Sequence, residues 1–529
     1  MAITDLKENV EEKDQAAKRA DGQYSTSQVQ RRIVKDTSLF SFASIFSLVM
    51  SFFRGMVIPN LLGPVYYGML NGLSVISNHT QYSHMGISNG MSFWIPHYRG
   101  KGDERAIEEV RNATFTVAVI TGAFASALIF VILGIVWKRL DIPVRAGLGV
   151  FACLVFIQNL RIFINLALRS DHRFKLISLI TMLESFFATG LVISLAWFFK
   201  IYGVFAAMLL SSGYFLLFSF VKAKYLLRWY MKKKVLLDLL SVGFPLFIIG
   251  LCNVFFLGID RILIIKVLGL KNLGFYALGL TLATYLKTIP IAFSKIIAPR
   301  VYEESSREEG DTVQYLVDPV ICLSLLAVTM IGFLYLIVPW FFSEIFPAYI
   351  SGIRSGQILL ISAYFPIVAL IPSQIIIGQR RMAQVLVFQL LAIGVAFFFG
   401  LLAFKRGMGI EGMAAAMLLA HALYAVLALY GASRLTIKNR CNMLTFFASL
   451  SGIFCYGILT AYGLEGCGWF FGCREGCALV LKTLVFVAGL IPVYYVVSRR
   501  SWMFKEIVTL SGLGLSRIKN RMNGTTLEV

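Results

Sequence analysis

Apolar residues fall into fourteen runs, each about 20 residues or longer, with polar residues gathered in the short segments between them. The runs centre near Val49, Ser83, Thr121, Val155, Phe187, Leu210, Cys252, Leu286, Val328, Ile367, Ala392, Leu419, Ile453 and Val487. A helix of that length crosses the hydrocarbon core of a bilayer. The pattern therefore predicts an all-α, polytopic membrane protein with about fourteen transmembrane helices.

Part of the pattern occurs twice. Phe53 to Gly68 reads FRGMVIPNLLGPVYYG, and 206 residues later Asp260 to Gly274 reads DRILIIKVLGLKNLG. Gly63 matches Gly269 and Gly68 matches Gly274, while the arginines slip by one position: Arg54 lies nine before its glycine and Arg261 eight. A repeat at this spacing predicts two similar lobes. Six runs separate the copies, so both enter the membrane from the same side and the repeat axis lies along the membrane normal.

Charge sets the orientation. With the N-terminus inside the cell, the inner segments hold 34 Lys and Arg, the outer ones 11, and four fall within runs. The loop from Lys222 to Lys234 alone carries six. Both termini are expected in the cytoplasm of a cell whose inner membrane the chain spans. The divisions read as a tail (1–38), a six-helix lobe (39–224), a basic cytoplasmic linker (225–235), a second six-helix lobe (236–433), two extra transmembrane helices (434–498) and a C-terminal tail (499–529). The first 38 residues are polar and mixed in charge, which predicts a tail and not a cleavable signal peptide. After Arg500, apolar and charged residues interleave, a pattern open to a short interfacial helix or a solvated tail.

Composition narrows the function. The mean hydropathy is +0.76 and 58% of residues are hydrophobic, which only a bilayer accommodates. The net charge of +21 sits between apolar runs, so it argues for a membrane surface and against nucleic acid. The eight cysteines form no CxxC pair and no zinc spacing, so neither metal nor cofactor is expected. Cys467, Cys473 and Cys477 share one outer loop, where a single disulfide and free thiols are equally open. No P-loop is present, so no built-in ATPase is expected. Pro59, Pro245, Pro290, Pro366 and Pro372 lie within runs, where each removes an amide donor.

An ionisable group inside a span costs about 2.5–3.5 kcal/mol on insertion scales and is a functional candidate. Arg54 lies about eleven residues from the outer turn, and spans one to four contain no carboxylate. It is read as a phosphate ligand in a central cavity, the alternative being a neighbouring helix or backbone carbonyls. Arg261 follows Asp260, and adjacent helical residues do not face each other. Lys287 stands eight residues from Lys295 and is long enough to snorkel. Arg161 and Glu184 differ in depth by about 5 Å in a hairpin and are read first as a structural pair. Arg54, Arg261, Lys287 and Arg161 are the candidate pyrophosphate ligands, and Glu184 and Asp260, the acids deep in spans, the candidate ion-coupling groups. His79 and His84 read as packed polar residues. Gln158, Asn159 and Asn165 add polarity to span four.

These residues carry a family resemblance. RGMVIPNLLGPVYYG followed by HYRGKGDE, and GFPLFIIGLCNVFFLGIDRILIIKVLGLKNLGFYALG further on, resemble bacterial polysaccharide-biosynthesis proteins. These are the Wzx-type flippases of the multidrug/oligosaccharidyl-lipid/polysaccharide (MOP) superfamily. The likeness covers roughly residues 36–440. It implies two six-helix lobes around a central cavity, alternating access driven by an ion gradient (Na⁺ or H⁺) or membrane potential, and cavity cations that receive a lipid-linked pyrophosphate. Implied partners are the lipid-linked oligosaccharide, the bilayer and enzymes of polysaccharide biosynthesis. A lipid II flippase and a MATE-like multidrug exporter are the alternatives, although the latter favours cavity acids. A membrane glycan polymerase or ligase is more remote, because the outer loops near Phe341–Ser351 and Tyr462–Gly476 are short and poor in charge.

Overall fold

The computed structural model describes residues 26–80, 82–305, 312–437, 440–466 and 475–500. Cys467, Cys473 and the segment after Arg500 lie outside them, so the choice between a disulfide and free thiols does too. The helices are α1 (Thr26–Thr80), α2 (Ile87–Gly100), α3 (Glu104–Val136), α4 (Ile142–Ser170), α5 (Phe174–Ala223), α6 (Lys233–Ser305), α7 (Thr312–Ile345), α8 (Ile353–Ser362), α9 (Tyr364–Val368), α10 (Leu370–Gly378), α11 (Met382–Lys405), α12 (Gly409–Thr436), α13 (Arg440–Gly466) and α14 (Glu475–Arg500). Among the described residues there is no strand.

Among the described residues, ten stretches are long and apolar enough to cross a membrane. Three of them, Ser38–Thr80, Phe174–Ala223 and Lys233–Ala292, run to 43, 50 and 60 residues, too long for one crossing. Each contains one break in the helical dihedrals, at Gly63, Lys200 and Gly269, and so holds two crossings. With the shorter apolar stretch Leu479–Tyr495 in α14, the described residues supply the fourteen predicted crossings. The second crossing is not one helix: a turn separates Thr80 from Ile87, with Met85 at φ 51° and Gly86 at φ 86°. The tenth is three short helices. α8 ends at Ser362 and α9 at Val368, each four residues before a proline, where the missing amide removes the next hydrogen bond. At Pro245 and Pro290, by contrast, α6 keeps helical dihedrals.

The two matched glycines break their helices the same way. Gly63 has φ 71° and ψ 172°, Gly269 φ 83° and ψ 178°, a region essentially confined to glycine. The second matched pair meets: a Cβ on Gly68 would lie 1.9 Å from the Leu270 carbonyl oxygen, and one on Gly274 would lie 1.9 Å from that of Pro64. Pro64 and Leu270 are themselves 206 apart. The contact is thus reciprocal, as across a two-fold axis. The carbonyl of Pro59, one turn before Gly63, accepts the hydroxyl of buried Tyr349 at 2.9 Å.

The chain forms two compact units. Of the described residues, unit 1 comprises 26–56, 83–139 and 152–244. Its core draws Met91 and Ile95 from α2, Ala113 from α3, and Phe163, Ala167 and Leu168 from α4. One end is clasped by Asp171, whose carboxylate accepts from Arg99 (2.6 Å), Arg111 (3.0 Å) and the Tyr225 hydroxyl (2.6 Å). Burial, and then the bond to Asp171, push the Tyr225 phenol up. The extended segment before Lys233 is fastened along α3: Asn112 Oδ1 accepts from the Arg228 amide (3.1 Å) and Thr116 Oγ1 from the Tyr230 amide (3.0 Å). One helical turn, about 6 Å over four residues, matches two extended residues.

Unit 2 comprises the described residues within 57–82, 140–151 and 245–500. α11 and α12 form a hairpin, α12 packs on α8, and α13 and α14 pack on α7. Tyr349 stands edge-on to Tyr67, Phe275 and Phe346 beside the matched glycines.

Candidate functional site

Unit 1 encloses a cavity of about 270 Å³. α1 presents Ser47, Ser51 and Arg54, spaced four and three residues apart and so on one face. α4 presents Arg161, Ile164 and Asn165. α5 presents Thr181, Glu184, Ser185 and Thr189 from its first half and Ser219 from its second.

Arg161 and Glu184 meet as a fork: Nη1 to Oε1 and Nη2 to Oε2, both 2.6 Å. Their side chains are 22% and 16% exposed, so the pair faces the cavity without being sealed from it. A bidentate, charge-assisted pair of this kind is strong and directional. Arg54 shares the cavity. Spans one to four contain no carboxylate, and the one that shares the cavity with Arg54 comes from span five. The hydroxyls are largely committed to backbone carbonyls. Thr181 donates to Ile177 (2.8 Å) and Ser219 to Phe215 (2.6 Å), and Thr189 reaches Met50 on α1 (3.3 Å). Ser185 Oγ lies 2.7 Å from both Ser47 Oγ and the Thr181 carbonyl. Asn165 lines the cavity, whereas buried Asn159 accepts from Ser83 at 3.0 Å and is not among the lining residues.

The remaining candidates gather in unit 2. Asp260 is 1% exposed; its Oδ2 accepts the Tyr276 hydroxyl at 2.7 Å and its Oδ1 the Arg261 amide at 2.7 Å. Arg261 folds back so that Nε lies 3.9 Å from Asp260 Oδ1 while Nη2 donates to Leu257 O at 2.7 Å. Adjacent residues do interact here, because the guanidinium stem is long enough to turn back along the helix. Lys287 lies in the electrostatic field of both Asp260 and Arg261. His421 lies in the field of Lys287; its Nδ1 is 2.7 Å from Ser362 Oγ, and it packs edge-on to Phe256, one turn before Asp260. Of the sequence-level histidines, His79 Nδ1 contacts the Val75 carbonyl at 2.7 Å, and His84 Nδ1 accepts from the Gly86 amide at 3.0 Å.

Sequence reasoning missed the hydroxyl lining, Tyr276 and His421. The polar positions 47, 51 and 54 at helical spacing inside one apolar run were the available signal for the first. Among the described residues, no group of three or more His, Cys, Asp or Glu is placed to hold a metal ion.

The fold is similar to that of solved membrane transporters, among them one described as belonging to the MOP superfamily. The chain is similar in fold to the lipid II flippase MurJ in an inward closed conformation (TM-score 0.65, 11% identity, 87% of this chain and 99% of that one). It is also similar to an inward-facing MATE family multidrug resistance transporter (TM-score 0.60, 16% identity, 75% and 94%). A third likeness is to the eukaryotic MATE transporter AtDTX14 (TM-score 0.51, 15% identity, 79% and 99%). No curated protein matches the chain in sequence. A family model matches residues 57–324, about half of the chain: the chain belongs to the polysaccharide biosynthesis protein family.

Proposed function

We propose that the protein flips a polyprenyl-pyrophosphate-linked oligosaccharide across the cytoplasmic membrane by alternating access, for export of a cell-surface polysaccharide. The observation that carries this reading is the unit 1 cavity, where two arginines stand within the membrane-spanning part of a polysaccharide biosynthesis protein. A pyrophosphate does not cross hydrocarbon unaided. A planar guanidinium grips two of its oxygens at once, stays charged when buried, and acts in a low dielectric that strengthens the contact. Arg54 and Arg161 are the headgroup ligands, with Arg261 and Lys287 further cations of unit 2. The repeat supplies the two six-helix lobes (39–224 and 236–433), and an ion gradient or the membrane potential supplies the energy.

A lipid II flippase shares the pyrophosphate chemistry, and the likeness to MurJ extends over 87% of this chain against 75% for the MATE transporter. An exporter of cationic drugs fits less well, because two of the three charged groups lining the cavity are cations.

The test is export in cells. Arg54→Ala is expected to abolish glycan export with the lipid-linked intermediate accumulating on the inner leaflet, and Arg54→Lys to retain part. Normal export by Arg54→Ala protein, or a loss explained wholly by degradation, would return Arg54 to a structural role.

A further inference from the structure

Glu184 occupies the place an anion would take. Its carboxylate fills the fork of Arg161 with two matched contacts of 2.6 Å on the cavity wall, the geometry a phosphate would use with the same guanidinium. Besides Arg54 and Asn165, the lining offers an incoming anion few other donors. The hydroxyls of Thr181, Thr189 and Ser219 already give their protons to backbone carbonyls and offer an anion only lone pairs. Arg161 is thus the group for which substrate and carboxylate compete.

We propose that Glu184 is an internal placeholder for the substrate phosphate: the phosphate displaces it from Arg161, and the released carboxylate takes up a proton from water. This rests on the pyrophosphate reading above. The charge count supports it. Among the described residues, Arg54, Arg161 and Glu184 are the charged groups lining the cavity, and no histidine, lysine, aspartate, cysteine or tyrosine joins them from α1, α4 or either half of α5. A pyrophosphate diester brings one negative charge per phosphate, about two in all. The two arginines balance it, and the charge of Glu184 is the excess. A proton on the carboxylate cancels that excess with no bond changed other than the new O–H. Substrate binding and protonation of Glu184 are then linked, each favouring the other by the same factor. The ion pair is not merely a brace in this scheme; it closes the site when no substrate is present and couples its occupation to a proton.

The test uses the full-length protein in nanodiscs and a dialkyl pyrophosphate, whose charge is constant from mildly acidic to neutral pH. Wild-type protein should bind it more tightly in acid. Glu184→Gln should bind about tenfold more tightly than wild type at neutral pH, equal to about 1.4 kcal/mol, and should lose the pH dependence. Removing a carboxylate raises the positive potential of the site whatever its role, so the tightening counts for the placeholder only together with the loss of pH dependence. Arg161→Gln should bind weakly at every pH, and adding Glu184→Gln to it should restore nothing. Unchanged or weaker binding by folded Glu184→Gln overturns the proposal. So does a flat pH profile of wild-type protein, a measurement that needs no variant. Tightening that follows Na⁺ concentration and not pH overturns the assignment of a proton. If the probe binds wild-type protein but ignores Arg54 and Arg161 substitutions, the pyrophosphate reading itself fails; dependence on Arg161 without dependence on Glu184 sinks only the placeholder.

Discussion

Gly68 and Gly274 test whether the repeat is a physical contact as well as a sequence pattern. In Gly68→Ala the new methyl would sit 1.9 Å from the Leu270 carbonyl oxygen and 2.7 Å from the Gly274 nitrogen, where ordinary contact begins at 3.4 Å. The obstacle is backbone, so no rotamer relieves it, and the two segments must part by about 1.5 Å. Overpacking of this kind costs about 1–3 kcal/mol, and rigid neighbours place it in the upper half of that range. Gly274→Ala meets Pro64 in the same way and should cost about as much. Once one methyl has forced the separation, the second finds room already made. The double variant should therefore cost less than the sum of the singles, by about 0.5 kcal/mol or more. Gly63→Ala is the control: nothing lies within 4 Å of its Cβ, so its cost of about 1–3 kcal/mol comes from dihedral strain alone and should add to that of Gly274→Ala. Unfolding by SDS titration in mixed micelles measures each value. Unchanged stability in Gly68→Ala, or strict additivity of Gly68→Ala with Gly274→Ala, refutes the reciprocal contact.

Tyr276→Phe removes the hydroxyl that Asp260 accepts and should destabilise the protein by about 1.5–3 kcal/mol; in an Asp260→Asn background the same change should cost clearly less, and equal costs in the same SDS titration would deny the coupling. A cysteine placed at Lys233 should resist an impermeant thiol reagent applied outside intact cells, as the 34-to-11 charge split requires; labelling there would reverse the orientation. Flipping in vesicles should stop with ionophores and ignore ATP; the opposite result would remove the gradient as energy source.

Much of the fold was legible because lipid leaves the chain little choice. A crossing needs an apolar run with its own hydrogen bonds satisfied, and both requirements are written locally. The matched glycines were legible for a related reason: only glycine adopts φ 71° with ψ 172°, so a turn of that kind leaves a mark that survives elsewhere as Gly269. The break at residues 82–86 was not legible, since its polarity is ordinary and Met85 at φ 51° carries no signal. The cavity was half legible. Arg54, Arg161 and Glu184 each stood out as charges in apolar runs, and their depth along a hairpin paired the last two. That Arg54 joins them is a tertiary fact, since α1 packs on both α4 and α5 and a pattern along one helix names no neighbour. Asp260 and Arg261 were misjudged for a different reason. Spacing rules describe Cβ directions, whereas a guanidinium on a long stem reaches back over its own turn.

The slipped arginines bear on how the two copies divide their work. Counted from the matched glycines, whose shared dihedrals fix the register, Arg54 is equivalent to Asp260 and not to Arg261. The same offset sets Arg161 against Ile367 and Glu184 against Leu390. The backbone turn was kept in both copies, while the charges facing the interior of each were not. One copy holds two arginines and a carboxylate open to a cavity; at the equivalent depth the other buries its carboxylate at 1% exposure under a tyrosine hydroxyl. A symmetric pore would have no use for that difference. A carrier that binds an anion in one place and must return empty does, because the cations that hold the load need something to hold in its absence. Under the placeholder proposal the carboxylate of Glu184 would fill that need in unit 1, and its equivalent position in the second copy, Leu390, has no charge with which to do so.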